Sequence, residues 1–132
     1  MEKRKKYHIL ILEDDLETLQ VLISKFQQIE LERAVSLCLT SLCSNWQVKK
    51  YVNCSQKGDY DILLLDRDDS EGGSFHNIDL SLFDKGKVIS ISSVPQYNSE
   101  AIAMGVERVV FKDYSNLPDF AEKVKQEILK II

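Results

Sequence analysis

Five short apolar runs alternate along the chain with segments of helical spacing, and this alternation limits the fold more than any other feature. Each run has the length of a strand and is rich in Val, Ile or Leu. The runs cover residues 7–12, 34–39, 61–65, 87–91 and 108–111. Strands that alternate with helices pack as a parallel sheet with helices on both faces. The sequence therefore predicts an α/β fold, a (βα)5 three-layer sandwich with a central five-stranded parallel sheet.

The first and the last helical segments have the clearest apolar stripes, which predict the faces that pack on the sheet. The stripe of the first segment consists of Leu16, Leu19, Ile23 and Phe26. The stripe of the last segment consists of Leu117, Phe120, Ala121, Val124, Ile128 and Ile131. Ser115 or Asn116 can cap this last helix, with Pro118 in its first turn, where a missing N–H costs nothing.

The middle of the chain has weaker helical patterns. A second helix is expected between residues 40 and 56, where the apolar residues form a ragged stripe. Two aromatic residues of this segment, Trp46 and Tyr51, are expected to pack in the core rather than to bind a ligand. Beyond the glycines at 72 and 73, only residues 78–83 remain for a third helix of one or two turns.

Length and composition exclude several classes of protein. A chain of 132 residues has the size of one typical domain, so we expect residues 1–132 to form a single domain. No apolar run approaches the roughly 18 residues that span a bilayer, and no secretory leader precedes the first strand. Cys38, Cys43 and Cys54 lack the spacing of a disulfide framework or a zinc site. A formal charge of −4 argues against direct nucleic-acid binding. We therefore expect a cytoplasmic protein with no membrane insertion.

Charged and polar residues follow four of the predicted strands. Glu13 and Asp14 follow the first strand, Asp66 ends the third, Ser92 follows the fourth and Lys112 ends the fifth. The carboxyl ends of parallel strands meet at one edge of the sheet, which is where such folds bind ligands. We therefore expect three carboxylates, a hydroxyl and an ammonium to lie together there.

Carboxylates that crowd together repel each other, and a divalent cation relieves that repulsion. Hard oxygen ligands in this number suit Mg²⁺, which proteins hold with one or two carboxylates together with a phosphate. Asp66 can then attack phosphorus as a carboxylate nucleophile, while Ser92 and Lys112 bind the phosphoryl oxygens. The pattern predicts a phosphoryl-transfer site.

Four motifs in this order resemble the receiver domains of two-component response regulators, the family that includes the single-domain chemotaxis regulators. The motifs are ILEDD at 11–15, DILLLD at 61–66, VISISS at 88–93 and VVFKD at 109–113, and the likeness covers residues 7–132. The resemblance implies a flavodoxin-like fold. It also implies that Glu13 and Asp14 are the acidic pair that binds Mg²⁺. Asp66 would be the phosphoacceptor and a metal ligand, and the backbone carbonyl of Asp68 would coordinate the metal.

The same resemblance assigns the remaining parts of a signalling switch. Ser92 would be the switch hydroxyl and Lys112 the lysine that pairs with the phosphoryl group. The chain would take that group from a sensor histidine kinase or a phosphotransfer protein in a phosphorelay, and would lose it slowly without turning over as an enzyme. The surface formed by residues 97–132 would then bind a downstream output partner or effector domain, or serve homodimerisation.

The sequence departs from the family pattern at three places. Residues 68–71 are Asp-Asp-Ser-Glu where the family has a hydrophobic–Pro pair, so the loop over the site should be more acidic. Val109 replaces the switch aromatic residue of the fifth strand. Asp113 replaces the proline after the lysine, so we expect a trans Lys112–Asp113 bond, because a cis bond without proline costs about 2.5–4 kcal/mol.

Two other functions fit parts of the sequence. The first is a pseudo-receiver, an interaction module that keeps the fold but is not switched by phosphorylation; the loop at 68–70 and Val109 favour it. The second is a haloacid-dehalogenase-type phosphatase, because residues 66–70 resemble the DxDx(S/T) loop of that class, with Asp66 as nucleophile and Asp68 as general acid. That motif normally follows the first strand, and the chain has no cap domain.

Overall fold

Five strands form the centre of the computed structural model, which describes residues 3–66 and 78–132. They are β1 (Lys6–Leu12), β2 (Ser36–Leu42), β3 (Ile62–Leu65), β4 (Val88–Ser90) and β5 (Arg108–Val109). All of them pair in parallel in the order β2-β1-β3-β4-β5. The predicted α/β fold with a five-stranded parallel sheet is confirmed. Because the strand order reverses between β1 and β3, a crevice opens at their carboxyl ends.

Helices cover both faces of this sheet. They are α1 (Leu16–Arg33), α2 (Asn45–Gln47), α3 (Pro95–Ala103) and α4 (Leu117–Ile131). A π-helical turn at Val48–Val52 continues α2, and two 3₁₀ turns cover Leu80–Leu82 and Lys85–Lys87. Within the part of the chain that the structure describes, no helix is long and apolar enough to cross a membrane.

Each face of the sheet carries its own hydrophobic core. On one face, alternate residues of β1, β3 and β4 pack against α1 and α4, with Phe26 and Phe120 among the largest buried side chains. On the other face, the remaining residues of those strands pack against the π-helical turn, α3 and the residues around Phe83. β1 and β3 are buried on both faces, which explains their continuous apolar sequences.

The two long helices, α1 and α4, each begin at a polar residue whose side chain caps the helix N-terminus. The Asp15 carboxylate accepts a hydrogen bond from the Thr18 backbone N–H at 3.0 Å and caps α1. The Asn116 side chain accepts one from the Asp119 N–H at 3.3 Å and caps α4, which confirms one of the two predicted caps. The α4 stripe is also confirmed, because all of it is buried except Ile131, which is half-buried.

The predicted stripe of α1 is confirmed for Leu19 and Phe26 and is wrong for Leu16 and Ile23. Leu16 is 78% exposed and Ile23 is 49% exposed, whereas Leu22 and Ile29 are fully buried beside Phe26. Apolar residues occur on more than half of the circumference of this helix, so the sequence alone did not determine which side faces the sheet. Packing against α4 selects the side that carries Leu22 and Ile29.

The region of the expected second helix also differs. β2 begins at Ser36, because Ala34 ends α1 in a left-handed conformation (φ 52°), and it runs on to Leu42. The helical part is therefore limited to α2 and its π-helical turn. Trp46 and Tyr51 do not pack in the core as expected, since they are 60% and 48% exposed. Of the expected third helix at residues 78–83, the described residues form only the 3₁₀ turn at Leu80–Leu82.

Candidate metal centre at the carboxyl edge of the sheet

The hydrogen bonds that extend the sheet beyond its strands place the predicted site residues side by side. Glu13 N–H donates to the Leu42 carbonyl at 3.2 Å, and Asp66 N–H donates to the Leu12 carbonyl at 3.0 Å. Lys112 N–H donates to the Ser92 carbonyl at 3.1 Å. These bonds hold the backbone of each functional residue in the plane of the sheet, so rigid elements set the positions of the side chains.

One buried ammonium joins two buried carboxylates at this edge. Lys112 Nζ lies 2.8 Å from Glu13 Oε2 and 2.7 Å from Asp66 Oδ2. All three residues are at most 1% exposed. Charge-assisted hydrogen bonds of this length are stronger than those between neutral groups. The predicted convergence of Glu13, Asp66 and Lys112 is therefore present in the structure.

Asp14 completes an acidic cluster on the open side. One carboxylate oxygen from each of Glu13, Asp14 and Asp66 lies within 4.8 Å of the others. Glu13 and Asp66 are buried, whereas Asp14 is partly exposed, so the cluster meets solvent through Asp14. Three carboxylates this close supply the hard oxygen ligands that a divalent cation takes. The cluster fits such a cation, and Asp14 is its most exposed member.

Among the residues that the structure describes, one ammonium bonds to this cluster of three carboxylates. Lys112 supplies one positive charge, and the three carboxylates exceed it when all are ionised. Burial, together with the nearby charge of Asp66, raises the pKa of the Glu13 carboxyl to about 8, and Lys112 opposes the rise only in part. Burial alone would lower the pKa of Lys112, but Glu13 and Asp66 outweigh it and raise that pKa above its ordinary value. Lys112 therefore stays charged, and the crowding of Glu13 and Asp66 is relieved when a proton or a cation binds there.

Without a divalent cation, the stability of the fold should fall as the pH rises. The folded chain keeps a proton on Glu13 up to about pH 8, whereas the unfolded chain loses it near the ordinary pKa of 4.5. This contribution to stability is complete below about pH 4.5 and is lost by about pH 8. The check is the melting temperature in a chelator across that range, for the wild type and for Glu13→Gln.

The difference in melting temperature between the wild type and Glu13→Gln separates the effect of Glu13 from that of other groups that titrate in the same pH range. Glu13→Gln should gain on the wild type as the pH rises, because glutamine cannot ionise. Glu17→Gln is a matched control, since Glu17 is exposed in the first turn of α1. Parallel curves for Glu13→Gln and the wild type would contradict the prediction.

Ser92 lies at the same edge, but its side chain is engaged in the turn after β4. It is fully buried, and its Oγ accepts a hydrogen bond from Val94 N–H at 3.0 Å. Asn98, on α3, holds the backbone of Ser92 from both sides: its Oδ1 accepts from Ser92 N–H at 3.2 Å, and its Nδ2 donates to the Ser92 carbonyl at 3.0 Å. The acceptor side of the Ser92 hydroxyl is therefore occupied by the Val94 N–H.

Two residues of this region were missed by the sequence reasoning. Asn98 is only 5% exposed and positions Ser92, but a single asparagine in a helical segment carries no distinctive signal. The Tyr114 ring centroid lies 5.3 Å from Lys112 Nζ, and burial raises the pKa of the Tyr114 phenol against the opposing charge of Lys112. Tyr114 follows Lys112 by two residues in the sequence, and this proximity to a predicted site residue was a signal that could have identified it.

The remaining predictions at the site have mixed outcomes. The Lys112–Asp113 bond is trans, as expected, and Val109 is half-buried in β5. Asp15 is the cap of α1, and its own backbone N–H donates to Glu13 Oε1 at 3.0 Å, which helps to orient that carboxylate. Asp68, the expected carbonyl ligand, lies outside the described residues together with the rest of the loop at 68–73.

Solved structures show which class of protein has this fold. The sheet order and the flanking helices are those of solved response regulators, so the predicted likeness to receiver domains is confirmed at the level of the fold. The chain is similar to the phosphorylated cyanobacterial phytochrome response regulator RcpA, with 18% identity, 94% of this chain and 91% of that chain covered, and a TM-score of 0.68. It is also similar to the Mn²⁺-bound form of the response regulator Rcp1, with 11% identity, 96% of each chain covered and a TM-score of 0.72. No protein-family profile and no curated protein sequence matches the chain.

Proposed function

We propose that residues 1–132 form one phosphoryl-accepting receiver domain of a cytoplasmic two-component system. The observation that supports this most directly is the bridge from Lys112 Nζ to Glu13 and Asp66, at 2.8 and 2.7 Å, beside the carboxylate of Asp14. That arrangement supplies a nucleophile, an anion-binding ammonium and cation ligands at one edge. Receiver domains generally switch between states rather than turn over as enzymes, and the same is proposed here.

Mg²⁺ is the proposed cation, held by Glu13, Asp14, Asp66 and the backbone carbonyl of Asp68. Rcp1, a response regulator of the same fold, has been solved with a divalent metal, Mn²⁺, bound to it. When bound, Mg²⁺ supplies positive charge to the oxygens of the incoming phosphoryl group. Glu13 must lose its proton to act as a ligand, which agrees with its raised pKa in the metal-free site.

Asp66 is the proposed nucleophile. A carboxylate oxygen attacks the phosphorus of a kinase or phosphotransfer-protein phosphohistidine, the P–N bond breaks, and its electron pair returns to the imidazole. The product is an acyl phosphate on Asp66, which water later cleaves to inorganic phosphate and the free carboxylate. Lys112, already 2.7 Å from Asp66 Oδ2, then pairs with a phosphoryl oxygen.

Ser92 and the surface at residues 97–132 are the proposed readout. The Ser92 hydroxyl accepts a hydrogen bond from Val94 N–H, and its own proton is proposed to be donated to a phosphoryl oxygen. Three large apolar side chains of that surface are exposed and could meet a downstream output partner. They are Ile102, Met104 and Phe111.

Beryllofluoride, which mimics a phosphoryl group on a carboxylate, tests the proposal. We expect the melting temperature to rise with Mg²⁺, and to rise further only when Mg²⁺ and beryllofluoride are present together, because a ligand that binds the folded state stabilises it. Asp14→Asn should weaken both shifts while the chain stays folded, because Asp14 is partly exposed. Asp119→Asn, an exposed carboxylate on α4, is the matched control.

Two results would favour another function. If neither Mg²⁺ nor its combination with beryllofluoride changes the melting temperature, the chain is a pseudo-receiver that acts without phosphorylation. If it releases several equivalents of phosphate from a phosphomonoester, it is a haloacid-dehalogenase-type phosphatase. Either result would overturn the proposal.

A further inference from the structure

Tyr114 lies in a tight turn that joins β5 to α4. The Asn116 N–H donates to the Asp113 carbonyl at 3.0 Å, and the Asp113 carboxylate accepts from the Ser115 N–H at 2.9 Å. Asn116 then caps α4, and Lys112, just before the turn, is held to the sheet by its backbone N–H. Both ends of the turn are therefore fixed, so the backbone holds Tyr114 in one place beside Lys112.

The Tyr114 ring packs beside the buried ammonium of Lys112. Its centroid lies 5.3 Å from Lys112 Nζ, within the roughly 6 Å over which an aromatic ring attracts an ammonium. An ammonium has three N–H donors, and the bonds of Lys112 to Glu13 and Asp66 use two of them. The ring is thus a third neighbour of this ammonium.

Tyr114 also lies on the solvent side of the ammonium, since Tyr114 is 55% exposed and Lys112 is 1% exposed. Burial raises the pKa of the Tyr114 phenol, and the charge of Lys112 opposes the rise. The charges of Glu13 and Asp66 raise that pKa further, so the phenol senses both carboxylates. The ring therefore covers the Lys112 side of the whole charged cluster.

We propose that Tyr114 is a positioning residue that limits how fast water reaches the acyl phosphate on Asp66. This inference rests on the proposed function, because it concerns the lifetime of that acyl phosphate. The Asp14 side of the site is proposed to hold the cation, so the Lys112 side is a route for water. Water that enters there must displace the ring, which costs the free energy of the contact between the ring and the ammonium.

The hydrolysis that the ring slows has a simple balance. A water oxygen attacks the phosphorus, and the bond from phosphorus to the Asp66 oxygen breaks. The electron pair of that bond stays on the carboxylate, and a proton of the water passes to the released phosphate or to solvent. Tyr114 takes no part in these bond changes, and it acts through its contact with Lys112.

The lifetime of the phosphorylated chain tests this role. After phosphorylation by acetyl phosphate with Mg²⁺ and removal of the reagent, intact mass follows the loss of the phosphoryl group. Tyr114→Ala should lose it about two- to fivefold faster than the wild type, the size expected for a cation–π contact of a partly exposed ring. Tyr114→Phe should keep the wild-type lifetime, because it retains the ring. A ring with a merely structural role would not change this rate.

Tyr51→Ala is the matched control. Lys50 Nζ lies 5.2 Å from the centroid of the Tyr51 ring, and Tyr51 is 48% exposed on the π-helical turn. This variant loses the same kind of contact and should keep the wild-type lifetime. Tyr114 belongs to neither hydrophobic core, so its replacement should leave the melting temperature nearly unchanged.

Amine labelling tests the cover without any phosphoryl transfer. Acetic anhydride should modify Lys112 faster in Tyr114→Ala than in the wild type or in Tyr114→Phe, as measured by peptide mass. Lys123, which is exposed on α4, should react equally in all three proteins.

The possible failures are distinguishable. A wild type that takes up no phosphoryl group would overturn the proposed function, and this inference with it. Normal uptake with equal lifetimes in the wild type and Tyr114→Ala would overturn only this inference. The same holds if Tyr51→Ala shortens the lifetime as much, if Tyr114→Phe behaves like Tyr114→Ala, or if the labelling of Lys112 does not change.

Discussion

Asp66→Asn is expected to abolish the uptake of a phosphoryl group from acetyl phosphate in the presence of Mg²⁺. An amide is not a nucleophile toward phosphorus at neutral pH, so the acyl phosphate cannot form. The substitution is conservative in structure, because an asparagine oxygen can still accept the hydrogen bond that Lys112 donates to Asp66 Oδ2. Intact mass before and after incubation measures the effect, and cleavage of the adduct by hydroxylamine identifies an acyl phosphate.

Asp113→Asn is the matched control for this experiment. Asp113 lies next to Lys112 in sequence, but its carboxylate is exposed and accepts hydrogen bonds from Ser115. This variant should gain the same mass as the wild type. Uptake by Asp66→Asn at the wild-type rate would place the nucleophile on another residue.

Lys112→Met should cause the largest loss of stability of any change at the site. It leaves the Glu13 and Asp66 carboxylates buried together without their shared ammonium, and breaking a buried ion pair from one side costs about 3–5 kcal/mol. The loss of unfolding free energy should be smaller near pH 5 than near pH 8, because protonation removes the stranded charge. Urea unfolding in a chelator at both pH values measures it.

Lys123→Met is the control for the loss of a lysine as such. Lys123 pairs with Asp119 at 3.1 Å on the surface of α4, and both side chains are more than half exposed. Water and salt screen such a pair, so its removal should leave the stability nearly unchanged. If Lys112→Met unfolds at the same urea concentration as Lys123→Met at both pH values, the buried network does not stabilise the fold.

The strands and most of the site were predictable from the sequence because burial on both faces leaves a plain signal. β1 and β3 are continuous apolar runs, and the polar residues that end them cannot be core residues. The end of each buried strand therefore marked Glu13, Asp14 and Asp66. The parallel topology, itself predicted from the alternation of elements, was sufficient to place them at one edge.

Elements with weak or two-sided patterns were not predictable in the same way. β2 was predicted over residues 34–39, but its last part mixes Thr40 and Ser41 with apolar residues, and the sequence predicted a helix from residue 40 onward. α1 has apolar residues on more than one side, and its contact with α4 decides which of them are buried. Trp46 is exposed on the three-residue helix α2, and no local sequence pattern indicated how short this helix is.

By itself, the sequence determined the order of strands and helices and the types of residue at the strand ends, because hydrophobic periodicity and residue type act locally. The tertiary structure decided which groups touch. The shared bond of Lys112 to Glu13 and Asp66 joins residues 99 and 46 positions apart, so it depends on the register of three strands. The raised pKa of Glu13 has the same origin, since burial is a property of the packed chain.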